Sequence, residues 1–248
     1  MTSASFTRRA WLAGLSGSLL NAADWKSASF PNWSDDAVMR LLIDSPWAHT
    51  RTVKMMWYGK REFNSKITYK DVPGTQGPIM ASSTAPGGSP VGGIGTGKIR
   101  NKLPDTADLI FRWSSALPVR QAKALFRLRQ QKGDPSKATA MVETRGYSGY
   151  LFEIFGVPTV AAHAGTEAIS ALLTRSAAIR TKGGRVIRAE KTLTELSGEA
   201  LTSTIYFPRE EPLTVDDREI EVLGNIELFE FGERFRLRDM RYLDGLEI

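Results

Sequence analysis

The sequence predicts an α+β fold, an antiparallel sheet partly covered by about three helices, with a β-rich C-terminal half. Three observations carry this expectation. Phe229, Phe231, Phe235 and Leu237 fall on alternate positions, with Glu230, Gly232, Arg234 and Arg236 between them and Arg238 following. A period of two places the aromatic residues on one strand face and the arginines on the other, and only Glu233 breaks the apolar row. Glu219 to Val222 and Ile226 to Leu228 alternate in the same way. The chain is therefore expected to end in two or three antiparallel strands with one wet and one dry face, turning near Gly224 and bulging near Gly232. The helices and strands that precede this region are expected to supply the cover for its dry face.

Composition bounds the function classes. The chain has 248 residues, 42% of them hydrophobic, which is enough for one core or two at roughly 100–200 residues per domain. Its formal charge is +6 and its pI about 9.6. That balance permits acidic partners without requiring them. No run of Lys and Arg is dense enough for a nucleic-acid arm, so no specific nucleic-acid partner is expected. The chain has no cysteine, which excludes disulfides, thiolate metal sites and a Cys nucleophile. No apolar stretch approaches the ~18 residues of a membrane helix, so an integral membrane protein is not expected.

Residues 1–23 read as an export signal. Thr7-Arg8-Arg9-Ala10-Trp11-Leu12 comes first, a weakly apolar run follows from Ala13 to Leu20, and Asn21-Ala22-Ala23 offers small residues for cleavage. Charged, apolar, small is the order of such a signal. Arg8, Arg9, Trp11 and Leu12 match the twin-arginine pattern, with Trp11 in place of the usual Phe. The expected partner is the export machinery, and the expected location is periplasmic or extracellular. Cleavage would remove Arg8 and Arg9 and no acid, taking the formal charge from +6 to +4.

Residues 24–248 read as one α+β domain. Trp25, Phe30 and Trp33 are expected to lie against the body. Ser34-Asp35-Asp36 opens a helix, with Ser34 as cap and the acids at its positive end. Val38, Leu41 and Leu42 form its buried stripe, and Asp44-Ser45-Pro46 stops it. Val53 to Tyr58 is expected as a central strand, apolar on both faces. Residues 73–97, rich in Gly, Pro, Ser and Thr, read as a flexible loop. Ala107 to Trp113 reads as a strand and Pro118 to Gln131 as a helix with Val119, Ala122, Leu125 and Phe126 inward. Gly149 to Val157 is the next strand. Thr166 is expected to cap a helix with the stripe Ile169, Leu172 and Leu173. Arg185 to Thr194 fits neither period. In the strand Leu201 to Phe207, Leu201, Ser203, Ile205 and Phe207 share one side.

Few groupings carry chemistry. Gly92 to Lys98 approaches a phosphate-binding loop, yet Ile99 stands where a hydroxyl must ligate magnesium, and no strand precedes it. Gly146-Tyr147-Ser148-Gly149-Tyr150 approaches a nucleophile elbow, but Tyr150 replaces the last glycine and a strand follows. His49 and His163 are the only histidines, and without cysteine they make a zinc or copper site improbable. No cofactor and no metal are expected. Arg120, Lys123, Arg127, Arg129 and Lys132 crowd one helix. Together with Arg234, Arg236 and Arg238 they suggest either solvation and pairing with glutamates or weak contact with acidic polymers or anionic surfaces. Trp25, Trp33, Trp47 and Trp57 suit core packing better than sugar stacking.

Three segments resemble a family of uncharacterised exported bacterial proteins: Asp44-Ser45-Pro46-Trp47-Ala48, Arg112-Trp113-Ser114-Ser115-Ala116-Leu117-Pro118, and Phe235-Arg236-Leu237-Arg238-Asp239-Met240 with Tyr242, Leu246 and Glu247. The family has no assigned activity, so the resemblance implies export and a single domain but no site residue. The expected function is a non-enzymatic binding or structural module. The alternative is a hydrolase using Asp and Glu, with Glu143, Glu153, Asp239 and Glu247 as unranked candidates. Carboxylates converging in a cleft would favour the enzyme, and scattered ones the module.

Overall fold

A computed structural model describes residues 25, 29–56, 104–143, 148–198 and 200–248. In chain order the elements are helix α1 (Asp35–Ile43), strands β1 (Ala48–Lys54) and β2 (Thr106–Trp113), helices α2 (Leu117–Gln130) and α3 (Ala138–Glu143), strand β3 (Gly149–Pro158), helix α4 (Thr166–Ser176), and strands β4 (Ala178–Thr181), β5 (Val186–Arg188), β6 (Lys191–Ser197), β7 (Ala200–Pro208), β8 (Glu219–Asn225), β9 (Glu230–Arg236), β10 (Arg241–Tyr242) and β11 (Gly245–Leu246). All sheet pairings are antiparallel. The fold is α+β with a β-rich C-terminal half. The export segment at 1–23, the expected loop at 73–97 with its Gly92 to Lys98 motif, and Trp57 and Tyr58 all lie outside the described residues.

Two sheets make the frame. The larger has the order β1-β2-β3-β7-β6 and the smaller β5-β4-β8-β9. Their inner faces meet on aromatic residues. Phe111 of β2 lies 5.2 Å from Phe231 of β9, ring centre to ring centre. Phe235 meets Trp113 edge-on at 5.7 Å and Phe152 at 5.9 Å. The period-two reading of β9 holds: Phe231, Glu233 and Phe235 are buried while Glu230, Gly232, Arg234 and Arg236 are exposed. Slipping the strand by one residue would bury the arginines, so burial selects this register.

α1 and α2 lie over the outer face of the larger sheet. Ser34 Oγ accepts from the Ala37 N–H at 3.2 Å, and Val38, Leu41 and Leu42 are buried as their spacing requires. α2 has Pro118 in its first turn and no side-chain cap from Ala116. The Glu247 carboxylate substitutes, accepting from the Leu117 N–H at 3.2 Å. The C-terminal segment is held again where the Trp47 indole N–H donates to the Glu247 carbonyl at 2.6 Å.

Several expectations are corrected. The first strand is β1, earlier than Val53 to Tyr58, and it lies at a sheet edge rather than at the centre. Its sequence Ala-His-Thr-Arg-Thr-Val-Lys is polar enough for an edge, while Met55 and Met56 follow the strand and bond to Asp105 and Leu228. Gly224 belongs to β8 rather than to a turn, and the turn falls after Asn225, which takes in Ile226 to Leu228. A Cβ on Gly224 would stand 2.6 Å from the ring of Phe231, so the glycine makes room for that ring. No bulge occurs at Gly232, and the irregularity falls between Phe155 and Val157, where Gly156 has φ 99°. Gly165 rather than Thr166 precedes α4 as its cap residue, and Leu172 is only half-buried.

The ambiguous stretch from Arg185 to Thr194 spans two strands in different sheets. The Ala189 N–H donates to Ala177 beside the smaller sheet, and the next N–H, that of Glu190, donates to Tyr206 in the larger one. The chain changes sheets between two adjacent residues, and so it shows neither simple period.

Candidate functional site

Among the described residues, the densest grouping of ionised side chains under cover lies beneath α1 and α2. Phe111 and Trp113 face inward, so Arg112 between them faces outward. Its cross-strand partner on β3 is Glu153. Arg112 donates from Nε to Oε2 at 2.9 Å and from Nη2 to Oε1 at 3.0 Å, the two-pronged geometry that suits guanidinium and carboxylate. Its Nη1 donates to the Leu42 carbonyl at the end of α1, at 3.3 Å. Ser114 follows β2 directly and donates to Glu153 Oε2 at 2.5 Å. Lys123 projects from α2, donating to Ser114 Oγ at 2.6 Å and also to Glu153 Oε2. Glu153 is 6% exposed.

Burial pushes the Glu153 carboxyl up, but the charges of Arg112 and Lys123 and their hydrogen bonds overcome it. The group is held well below the usual carboxylate range. Burial also disfavours charge on Lys123, and the neighbouring Arg112 adds to this. Glu153 opposes the change only in part, and Lys123 is lowered to about 8.

A serine touching a lysine of lowered pKa raises the question of nucleophilic catalysis. The surroundings argue against it. Lys123 is paired with an ionised glutamate, so it sits as an ammonium below about pH 8 and is no base there. Glu153 is held too acidic to take the serine proton. The Ser114 and Ser115 amides both donate to the Leu151 carbonyl, at 2.8 and 3.4 Å, and the Ala116 amide donates to Trp113 at 3.3 Å. No amide of this turn is left for an oxyanion. The cluster is instead a charge clamp joining β2, β3, α1 and α2.

A second buried carboxylate, Glu233, is the residue that interrupted the apolar row. His49 Nδ1 lies 3.2 Å from its Oε2, and Arg51 Nε donates to the same oxygen at 3.4 Å. The His49 ring stacks on Phe235 at 4.3 Å and 12°. This grouping was not legible in the sequence, because 184 residues separate His49 from Glu233.

The described carboxylate candidates do not form a set. Glu153 is in the clamp, Glu247 caps α2, and Asp239 is exposed beside Arg238 at 3.5 Å. The side chains of Glu143 and His163 lie outside the described residues. Ser148 is followed by strand β3, so no nucleophile elbow forms there. Among the described residues no three acidic or histidine side chains gather to hold a metal. No described helix is long and apolar enough to cross a membrane.

The basic crowding is largely consumed inside the protein. Arg120 donates to the Val142 carbonyl at 3.3 Å, and Arg129 to Asp35 at 2.7 Å and to the Trp33 carbonyl. On the outer face of the smaller sheet, Arg234 and Arg180 both bond Glu221 across the strands. Trp25, Trp33 and Trp47 are buried, Trp25 edge-on to Trp47 at 5.2 Å. They serve packing rather than sugar stacking. Comparison with protein-family models, curated proteins and solved structures finds no match. The fold and the two clusters define the class alone: a two-sheet α+β domain with a clamped carboxylate under its helices.

Proposed function

We propose that the chain is an exported binding or structural module, carried by the twin-arginine route to the periplasm or beyond. The observation that carries the non-catalytic reading is the state of Glu153. The most deeply placed carboxylate among the described candidates is bonded by Arg112, Lys123 and Ser114, which leaves it no free lone pair of useful basicity. The remaining described candidates each serve a separate structural contact. Export is supported by Arg8, Arg9, Trp11 and Leu12 and by the resemblance to exported bacterial proteins. Contact with acidic polymers or anionic surfaces would fall to exposed cations such as Arg127, Arg236 and Arg238, and would be weak.

Two measurements test this reading. Cells carrying Arg8→Lys with Arg9→Lys are fractionated, and the mature protein should vanish from the exported fraction. The wild-type exported protein should begin near Asp24. Equal export of both chains defeats the twin-arginine assignment. The purified protein is then assayed against ester, peptide and glycoside substrates beside Ser114→Ala and Glu153→Gln. No turnover is expected from any of them. Turnover by the wild type that a well-folded Ser114→Ala or Glu153→Gln variant loses would make the protein an enzyme.

A further inference from the structure

The edges of the two sheets are not treated alike. Natural edge strands are defended by charges near their middle. β1 carries Arg51 there and β9 carries Arg234, both exposed, while the fourth edge, β5, is only three residues long. β6 ends the larger sheet and presents Leu193, 43% exposed, between the exposed charges Lys191 and Glu195, with Leu196 63% exposed close by. Among the described residues no backbone hydrogen bond is made to β6 apart from its ladder with β7. Every second residue of such a strand turns its amide and carbonyl outward.

We propose that β6 is the contact surface of a homodimer, pairing antiparallel with β6 of a second copy about a twofold axis through Leu193. The sequence Lys191-Thr-Leu-Thr-Glu-Leu-Ser197 is complementary to itself in this one register. Leu193 meets Leu193, Lys191 meets Glu195, and Glu195 meets Lys191. All three lie on the solvent side of the strand, because Thr192 and Thr194 between them are buried. Directly opposed residues share a face, so the two charge pairs and the leucine pair form one row. Moving the axis to Thr194 sets Leu193 against Glu195, and moving it to Glu195 sets like charges together. The twofold axis makes the contact closed, so pairing stops at two copies.

The test is sedimentation of the full-length chain over a range of concentrations. The wild type should dimerise. K191E and E195K should each weaken association about tenfold or more, since each turns two attractive pairs into two repulsive ones. The double variant K191E/E195K should recover the wild-type affinity, and K191E mixed with E195K should give a heterodimer. L193K should be monomeric. Circular dichroism and melting of each variant establish that it is folded, as expected for changes at exposed positions. A wild-type chain that stays monomeric overturns the proposal. So does a dimer that ignores the charge reversals.

Discussion

Arg112 holds both oxygens of Glu153 from the neighbouring strand, at 2.9 and 3.0 Å, beneath the helices of the larger sheet. Removing Arg112 leaves the buried Glu153 carboxylate to Lys123 and Ser114 alone, whereas removing Arg112 and Glu153 together takes that buried carboxylate away and leaves Lys123, whose side chain is 34% exposed, to reach water. Arg112→Met should therefore cost about 3–5 kcal/mol. Arg112→Met with Glu153→Met should cost clearly less than the sum of the single changes. Urea denaturation of the three variants measures the difference. Additive losses would mean the clamp is not a unit.

The pH dependence of the clamp follows from the direction of each shift. Glu153 is held below its ordinary value, so the folded state binds fewer protons than the unfolded chain in the acid range. Its contribution is complete above the unfolded value of about 4.5 and is lost as pH falls below it. The stability difference between wild type and Glu153→Gln should shrink as pH drops from 6 to about 3.

Lys123 is also lowered, to about 8 from 10.5, so between those two pH values the unfolded chain binds the extra proton. Its contribution should rise with pH across that window. The wild type should gain stability relative to Lys123→Met between pH 8 and 10.5, as read from denaturation midpoints. A flat difference would place the lysine at its ordinary pKa, and a falling one would place it above that value.

Phe235 is 1% exposed and touches His49, Trp113 and Phe152, while its neighbour Arg236 is exposed. Phe235→Ala should cost about 3–5 kcal/mol through lost burial and a cavity. Arg236→Ala should stay within about 0.5 kcal/mol. Comparable losses in chemical denaturation would contradict the half-buried strand.

Gly224 is replaceable only if Phe231 gives way. The ring it faces is packed against Phe111 at 5.2 Å and Phe229 at 6.2 Å, so it has little room to retreat. Gly224→Ala should destabilise by about 1–3 kcal/mol. Adding Phe231→Leu should recover part of the loss relative to Phe231→Leu alone, as a thermal melt of the four chains would show.

Local signals were legible where one segment decides its own structure. Ser34 and the Val38, Leu41 and Leu42 stripe gave α1, and alternation gave β9, because capping and one-sided burial are read from neighbours in sequence. Glu233 was visible only as an interruption, since its partners His49 and Arg51 come from a strand at the other end of the chain. The clamp was hidden for the same reason: Arg112, Lys123 and Glu153 carry no motif, and only the β2–β3 register brings them together. The strand expected at Val53 was misplaced because hydrophobicity alone cannot distinguish a central strand from the segment after an edge strand.

The passage of one backbone from the smaller sheet to the larger at Ala189 and Glu190 ties the opening of one sheet to that of the other. β5 and β6 are separated by those two residues alone, so opening either sheet pulls on the first hydrogen bonds of the other. The sheets should behave as a single foldon. In native-state hydrogen exchange, the amides of Ile179 in β4 and Ile205 in β7 should then report the same opening free energy and the same denaturant dependence.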